Sequence, residues 1–247
     1  MANALHPNRL QFSTLRLGVI EGWQLANVTR GVSFAYAFIF AAIGAVIIGS
    51  LLALGLTPFV VVAAGAFMLI GPALLAGFFG IAAAYEAGER VGFTAIVNGF
   101  RRAAPSVWVL ALVCALLFMI FITDAAILYS YMIGGAPVWL GELLPAQAGV
   151  LRFVVWASVS GFVVALMLYT VAAFSVPLLC ERRAGLVNAI ALSVRVVFGN
   201  FFVAMFWGLF LSVVIVASIL LLPTLPLTLP WLAFASRSVY RQVIPRM

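Results

Sequence analysis

The feature that most constrains this chain is a succession of apolar runs, each near the ~20 residues an α-helix needs to cross the hydrocarbon of a bilayer. Read by apolar length against charge, the runs fall at about 31–56, 58–85, 105–128, 149–179, 200–217 and 219–238. The last two share one stretch, "FFVAMFWGLFLSVVIVASILLLPTLPLTLPWLAFA", in which Pro223, Pro226 and Pro230 demand a bend or break. Composition agrees. Hydrophobic residues make up 66% of the chain and charged residues 8%, against roughly half and a quarter in an average soluble domain. The expected fold is all-α: a polytopic membrane protein whose six transmembrane helices form three hairpins.

A net charge of +7 would suggest nucleic acid in a soluble protein, but the basic residues sit between the apolar runs and form no continuous patch, so no nucleic-acid partner is expected. Arg9, Arg16 and Arg30 precede the first span. Arg90, Arg101 and Arg102 separate the second from the third, Arg182, Arg183 and Arg195 separate the fourth from the fifth, and Arg237, Arg241 and Arg246 end the chain. Only Arg152 falls on the opposite side. The positive-inside rule then places both termini in the cytoplasm, and an odd number of spans would break the pattern. Arg102 and Asp124 bracket the third span at about 33 Å of helix, which puts Asp124 at the outer interface. Tyr129, Tyr131 and Trp139 then lie in the outer connection, the only outer segment large enough to bind anything, while Trp23 and Trp108 mark the inner face. Residues 1–30 lack a signal-peptide core and cleavage site. They read as a retained cytoplasmic tail and interfacial helix ahead of a single transmembrane domain over 31–247.

The stretch "LIGPALLAGFFGIAAAYEAGER" (69–90) tests whether glycine marks a ligand loop or a packing face. Ala76, Gly80, Ala84 and Gly88 recur every four residues, with Ala73 and Gly77 beside them, so a helix here carries a ridge of near-absent side chains suited to close helix contact. A phosphate loop would need a preceding strand and a following Gly-Lys-Ser/Thr, and neither is present. Gly71, Pro72, Gly77, Gly80, Pro177 and Pro230 are the candidate packing and hinge residues.

A short amphipathic stretch precedes each hairpin. Phe12, Leu15, Val19 and Trp23 share a face in the first, Phe93, Ile96, Val97 and Phe100 in the second, and Leu186, Ile190 and Val194 in the third. Arginine on the polar flank suits a helix lying among lipid headgroups, which makes Arg16, Arg101, Arg102, Arg182, Arg183 and Arg195 candidate contacts to headgroups or a partner. The segments "AIVNGFRRAAPS" (95–106) and "AIALSVRVVFGN" (189–200) align, and "GVIEGWQLANVT" (18–29) is a fainter third copy. Internal triplication and convergent membrane patterning both account for this.

"GPALLAGFFGIAAAYEAGER", then "FSVPLLCERRAGLVNAIALSVR", then a proline-bent last helix ending in "SVYRQVI" together resemble the bacterial integral-membrane proteins grouped as domain of unknown function 2189. The pair Gly22–Trp23 fits that family's amphipathic first helix. The resemblance covers nearly the whole chain through short apolar motifs, and it implies a fold and a bacterial inner membrane, with no assigned activity. Members often carry two histidines in the last helix, where this chain has Phe234 and Ser238, so no histidine-based role carries over.

Chemistry-bearing residues are sparse. Glu86, Glu89, Asp124, Glu142 and Glu181 all fall at expected helix ends or loops, which argues against a charge-coupled pump. The sole histidine, His6, lies in the tail, so neither bis-histidine haem ligation nor a Ser-His-Asp set is available, and no cofactor or metal is expected. Lysine is absent, and Cys114 and Cys180 read as packing residues. Glu86 and Arg90, spaced i, i+4, read as a surface ion pair. A wider reading gathers Glu86, Glu89 and Arg90 with Glu181, Arg182 and Arg183 into a ring of charge at the inner ends of three bent helices, against the plainer one of helix kinks and topogenic arginines. The expected function is that of a non-enzymatic accessory or scaffold protein that contacts anionic headgroups on the cytoplasmic face or a membrane-protein partner. The alternative is a passive transporter, channel or lipid-moving protein built on the proline-bent helices.

Overall fold

The computed structural model describes residues 7–57, 59–60, 71–133 and 148–245. Among the described residues the secondary structure is helical, without strands. The helices are α1 (Phe12–Val28), α2 (Arg30–Ala53), α3 (Gly71–Glu86), α4 (Phe93–Arg102), α5 (Pro105–Ile133), α6 (Ala148–Cys180), α7 (Leu186–Gly199), α8 (Phe201–Leu220) and α9 (Leu225–Val243), with a 3-10 turn at Leu222–Thr224 before the last.

Among the described residues, four segments are long and apolar enough to cross a membrane: Arg30–Ala53, Pro105–Met132, Leu151–Cys180 and Phe201–Ile219. Each turns large apolar side chains outward, among them Val46, Ile120, Phe162 and Leu209. Only a lipid solvent makes such a surface favourable over so much of a protein. The apolar helix Leu74–Glu86 is shorter, and much of the span expected over 58–85 lies outside the described residues.

The last expected span, 219–238, is displaced. The chain breaks at the 3-10 turn, and α9 runs from Leu225 to Val243 with Pro226 in its first turn, where a missing N–H leaves no helical bond unmade. Twelve of its nineteen residues are buried, Arg237 among them. It is a core helix, in contact with α1, α2, α3, α6 and α8. Among the described residues α2 packs mainly on α9 rather than on α3.

α5 also departs from expectation. It continues past residue 128 to Ile133, so Asp124 is an exposed residue inside the helix rather than its end. Tyr129, expected in the outer connection, is buried with its ring 5.4 Å from Phe153 and 5.1 Å from Phe59. The apolar run simply has no helix stop before residue 133. Trp139 and Glu142 lie outside the described residues.

The short amphipathic helices do not serve the hairpins they precede. α4 lies on α3, α7 lies on α6, and α1 lies on α9, so the first and last helices pair. α1 buries Leu15, Gly18 and Gly22, and it packs on α9. Equivalent positions of the three aligned segments make the closest contacts. A Cβ on Gly22 would lie 2.7 Å from Ala235 Cα, and one on Gly99 would lie 2.9 Å from Gly80 Cα. In the third pair Ser193 substitutes a hydroxyl, which donates to Thr170 O at 2.8 Å and accepts from Phe174 N–H at 3.2 Å. The inward faces are thus the small-residue faces. Phe12, Trp23, Phe93 and Val97, on the apolar faces read as suited to the headgroup layer, are exposed, as suits helices beside lipid.

Of the candidate packing residues, Gly77 takes the Tyr36 ring of α2 and Gly80 takes α4. Gly88 is not part of the ridge. It follows the helix in a left-handed conformation (φ +69°), with Gly88 N–H bonded to Tyr85 O and Glu89 N–H to Ala84 O, the paired bonds of a Schellman cap. Gly71 meets no described atom within 4 Å of a Cβ position. We predict that Gly80→Ala, whose methyl would lie 2.6 Å from Gly99 Cα, destabilises the protein by about 1–3 kcal/mol. Gly31→Ala, with open space at its Cβ, leaves thermal unfolding of the detergent-solubilised protein unchanged or slightly raised.

Candidate functional site

The ends of α3, α6 and α9 converge on one cluster of charge. Glu86 is the last residue of α3, Glu181 follows the end of α6, and Arg237 and Arg241 lie one turn apart on α9. Arg237 grips Glu86 with both terminal nitrogens, at 2.6 and 3.0 Å. Arg241 bridges the two acids, donating to Glu86 at 2.6 Å and to Glu181 at 3.0 and 3.1 Å. Arg237 also lies 3.7 Å from Glu181. Two cations and two anions therefore neutralise one another where three helices meet.

Arg237 is the least solvated of the four, with its side chain 5% exposed. Its guanidinium carbon sits 5.6 Å from the Phe79 ring centroid, a cation–π contact that strengthens as water is withdrawn. Its Nε is buried with no hydrogen-bond partner among the described residues. Burial acts to raise the Glu86 carboxyl, but hydrogen bonds and attraction from Arg237 and Arg241 outweigh it and hold the group down to about 2. The expected Glu86–Arg90 pair does not form. The helix stops at Glu86 and the Gly88 turn carries Arg90 off the next turn, where Glu89 and Arg90 are exposed.

The end of α6 repeats the Schellman geometry with a different residue. Arg182 N–H bonds to Leu179 O and Arg183 N–H to Leu178 O, placing Arg182 at φ 52°. Gly55 and Gly88 hold the matching position after α2 and α3. From there the Arg182 guanidinium donates to the carbonyls of Arg101 and Ala103 at the end of α4, at 3.3 and 3.4 Å. Arg183 turns to the C-terminal segment and donates to Tyr240 Oη, Ile244 O and Pro245 O at 3.0, 2.7 and 2.6 Å. It is a structural tie rather than a surface contact. Arg16, Arg101, Arg102, Arg182 and Arg195 are exposed, and among the described residues none of them pairs with a carboxylate.

Two cavities flank the cluster. One of about 420 Å³ is lined by Arg101, Arg102, Arg182, Arg237, Glu181 and Phe79, with the Gly80–Gly99 contact at its wall. The other, of about 380 Å³, borders Glu21, Glu86, Arg237, Ser238 and Arg241. Ser238 donates to the Glu21 carboxylate, and Phe234 is buried with its ring 5.6 Å from Phe78. Pro177 and Pro230 lie inside α6 and α9, and Pro72 is the second described residue of α3. Among the described residues no group of three His, Cys, Asp or Glu could hold a metal.

Residues 59–181, about half the chain, match the family described as "predicted integral membrane protein (DUF2189)". This chain belongs to that family. Comparison with curated proteins and with solved structures found no match. The matched region contains Glu86, Arg101, Arg102 and Glu181, while Arg237 and Arg241, the partners of the two acids, lie beyond it.

Arg237 and Arg241 are the residues that sequence reasoning treated only as topogenic charge. Their i, i+4 spacing inside an apolar helix was the available signal, since it places two guanidiniums on one face. We predict that Glu86→Gln, which leaves the buried Arg237 short of a counter-ion, lowers stability by about 1–3 kcal/mol, a range reduced because Glu86 is 38% exposed. In the native protein the Glu86 contribution is complete above the carboxyl's ordinary 4.5 and is lost as pH falls toward about 2. Melting temperature against pH should therefore fall less steeply over that window in the variant.

Proposed function

We propose that this protein is a non-catalytic accessory or scaffold protein of the bacterial inner membrane. In this reading it crosses six times with both termini in the cytoplasm, and its arginine-bearing face contacts anionic headgroups or a membrane-protein partner. The observation that carries the reading is the division of labour among the arginines. Arg237 and Arg241 are used to neutralise Glu86 and Glu181, so the cluster locks three helices together. Arg101, Arg102 and Arg182, exposed at its rim, add positive charge without a paired carboxylate among the described residues. Such a face attracts anionic lipid at about 1 kcal/mol per basic residue.

Topology has its own support. Asn8 N–H bonds to Val243 O at 2.8 Å, which holds the two described ends of the chain on one face. Ends on one face require an even number of crossings, and the positive-inside rule assigns that face to the cytoplasm. The transport reading rests on a different observation, the cavities on either side of the Glu86–Arg237 pair.

The two readings separate on extraction of the protein with its surrounding native lipid, followed by mass spectrometry. The scaffold reading expects enriched anionic phospholipid or a stoichiometric partner, reduced at least about threefold when Arg16, Arg101, Arg102 and Arg195 are changed together to glutamine. An unchanged complement in that variant refutes it. Labelling of cysteines introduced beside Pro72 and Pro177 by water-soluble thiol reagents would move the assignment to transport.

A further inference from the structure

We infer that the cavity between α3, α4 and the end of α6 is a built site for a phosphate oxyanion, carried as the diester of an anionic phospholipid headgroup or as free phosphate. This rests on the scaffold reading and deepens it, because it replaces a diffuse charged surface with one defined pocket. The cavity has a volume of about 420 Å³ and four arginines line it, Arg101, Arg102, Arg182 and Arg237. One acid, Glu181, also lines it, but Arg241 holds that carboxylate at 3.0 Å. Arg237 is likewise held by Glu86 at 2.6 Å, so Arg101, Arg102 and Arg182 leave the cavity cationic, and its volume falls within the range of small-molecule sites, roughly 300–1,000 Å³.

Two observations point to a ligand beyond the charge itself. Arg237 is almost wholly buried, lines the cavity, and has an Nε without a hydrogen-bond partner among the described residues. A buried donor of this kind is costly unless something accepts from it. The second is Arg182. It occupies a left-handed cap position (φ 52°) that glycine fills after α2 and α3, and in that position its guanidinium lies at the cavity wall against α4. Strained backbone of this kind persists where the side chain it carries has a use.

The shape suits a headgroup. Ala76, Phe79 and Ala83 present an apolar wall on α3 while the arginines supply forked donors matched to tetrahedral oxygens. Polar and apolar lining side by side is what the junction of a phosphodiester and its glycerol would require.

The test uses the full chain, delipidated in neutral detergent, with native mass spectrometry as the binding readout. The probes are dioctanoyl phosphatidylglycerol, dioctanoyl phosphatidylcholine as the neutral control, and inorganic phosphate as competitor. Phosphatidylglycerol should bind one to one. Ala83→Leu, which fills the cavity without changing charge, and the pair Arg101→Gln with Arg102→Gln should each weaken it by about tenfold or more. The pair Arg16→Gln with Arg195→Gln, neither of which lines the cavity, should leave it unchanged, and melting temperatures establish that each variant is folded. Displacement by inorganic phosphate assigns the site to the free anion; resistance assigns it to the lipid diester. Equal binding of phosphatidylcholine, or full binding by folded Ala83→Leu, overturns the site. If binding instead follows Arg16 and Arg195, the surface reading stands and the cavity falls. If neither anionic probe binds the native protein, both fall.

Discussion

Arg237 organises this protein. A guanidinium withdrawn from water at the end of an apolar helix is tolerated only if anions reach it with good geometry, because desolvation otherwise exceeds what attraction returns. Glu86 and Glu181 supply those anions from the ends of two other helices. Arg241 completes the cluster one turn further on and stays partly solvated. Because each charge is satisfied by residues from different helices, the cluster fixes where α3, α6 and α9 end relative to one another. Arg183, bonded to the carbonyls of Ile244 and Pro245, carries the same constraint to the chain terminus.

Beside the charge cluster and beyond it, small residues do the equivalent task. Gly22 against Ala235 and Gly80 against Gly99 bring backbones nearly to contact, gaining dispersion where lipid offers no hydrophobic drive to associate. Ser193 achieves the same pairing with hydrogen bonds to α6. The three contacts fall at matching positions of the aligned segments, and each joins a short helix to a longer one that ends in or beside the charge cluster. Pairing α1 with α9 draws the first and last described helices into this scheme, and Asn8 N–H secures them through Val243 O. The large apolar residues on the outer faces of α1 and α4 stay exposed, although Phe12 and Trp23 also pack edge-on against Phe206 and Trp231.

Much of the local organisation was legible. Among the described residues helices cover the amphipathic stretches and most of the apolar runs, the last being broken at Leu222–Thr224, and the ridge of small residues in α3 became a contact face at Gly77 and Gly80. The errors share a cause. Gly88 has the right spacing for the ridge but serves as the cap that ends it, and that same cap removed the expected Glu86–Arg90 pair. On α1 the apolar face that carries Phe12 and Trp23 is exposed, while the face packed on α9 is the one whose small residues permit close approach.

Hydropathy and charge are properties read along the chain, so the sequence by itself determined the class of protein, the existence of most helices and the arginine asymmetry between connections. Partner choice is not such a property. Glu86 meets Arg237 across 151 positions of sequence, and Glu181 meets Arg241 across 60. No periodicity spans such intervals, and any exposed arginine would have been an equally good partner by charge alone. Only the packing of α9 into the centre of the helices selected these two. The same packing decided that Arg183 would be spent on the C-terminal carbonyls while Arg101, Arg102 and Arg182 would face an open cavity.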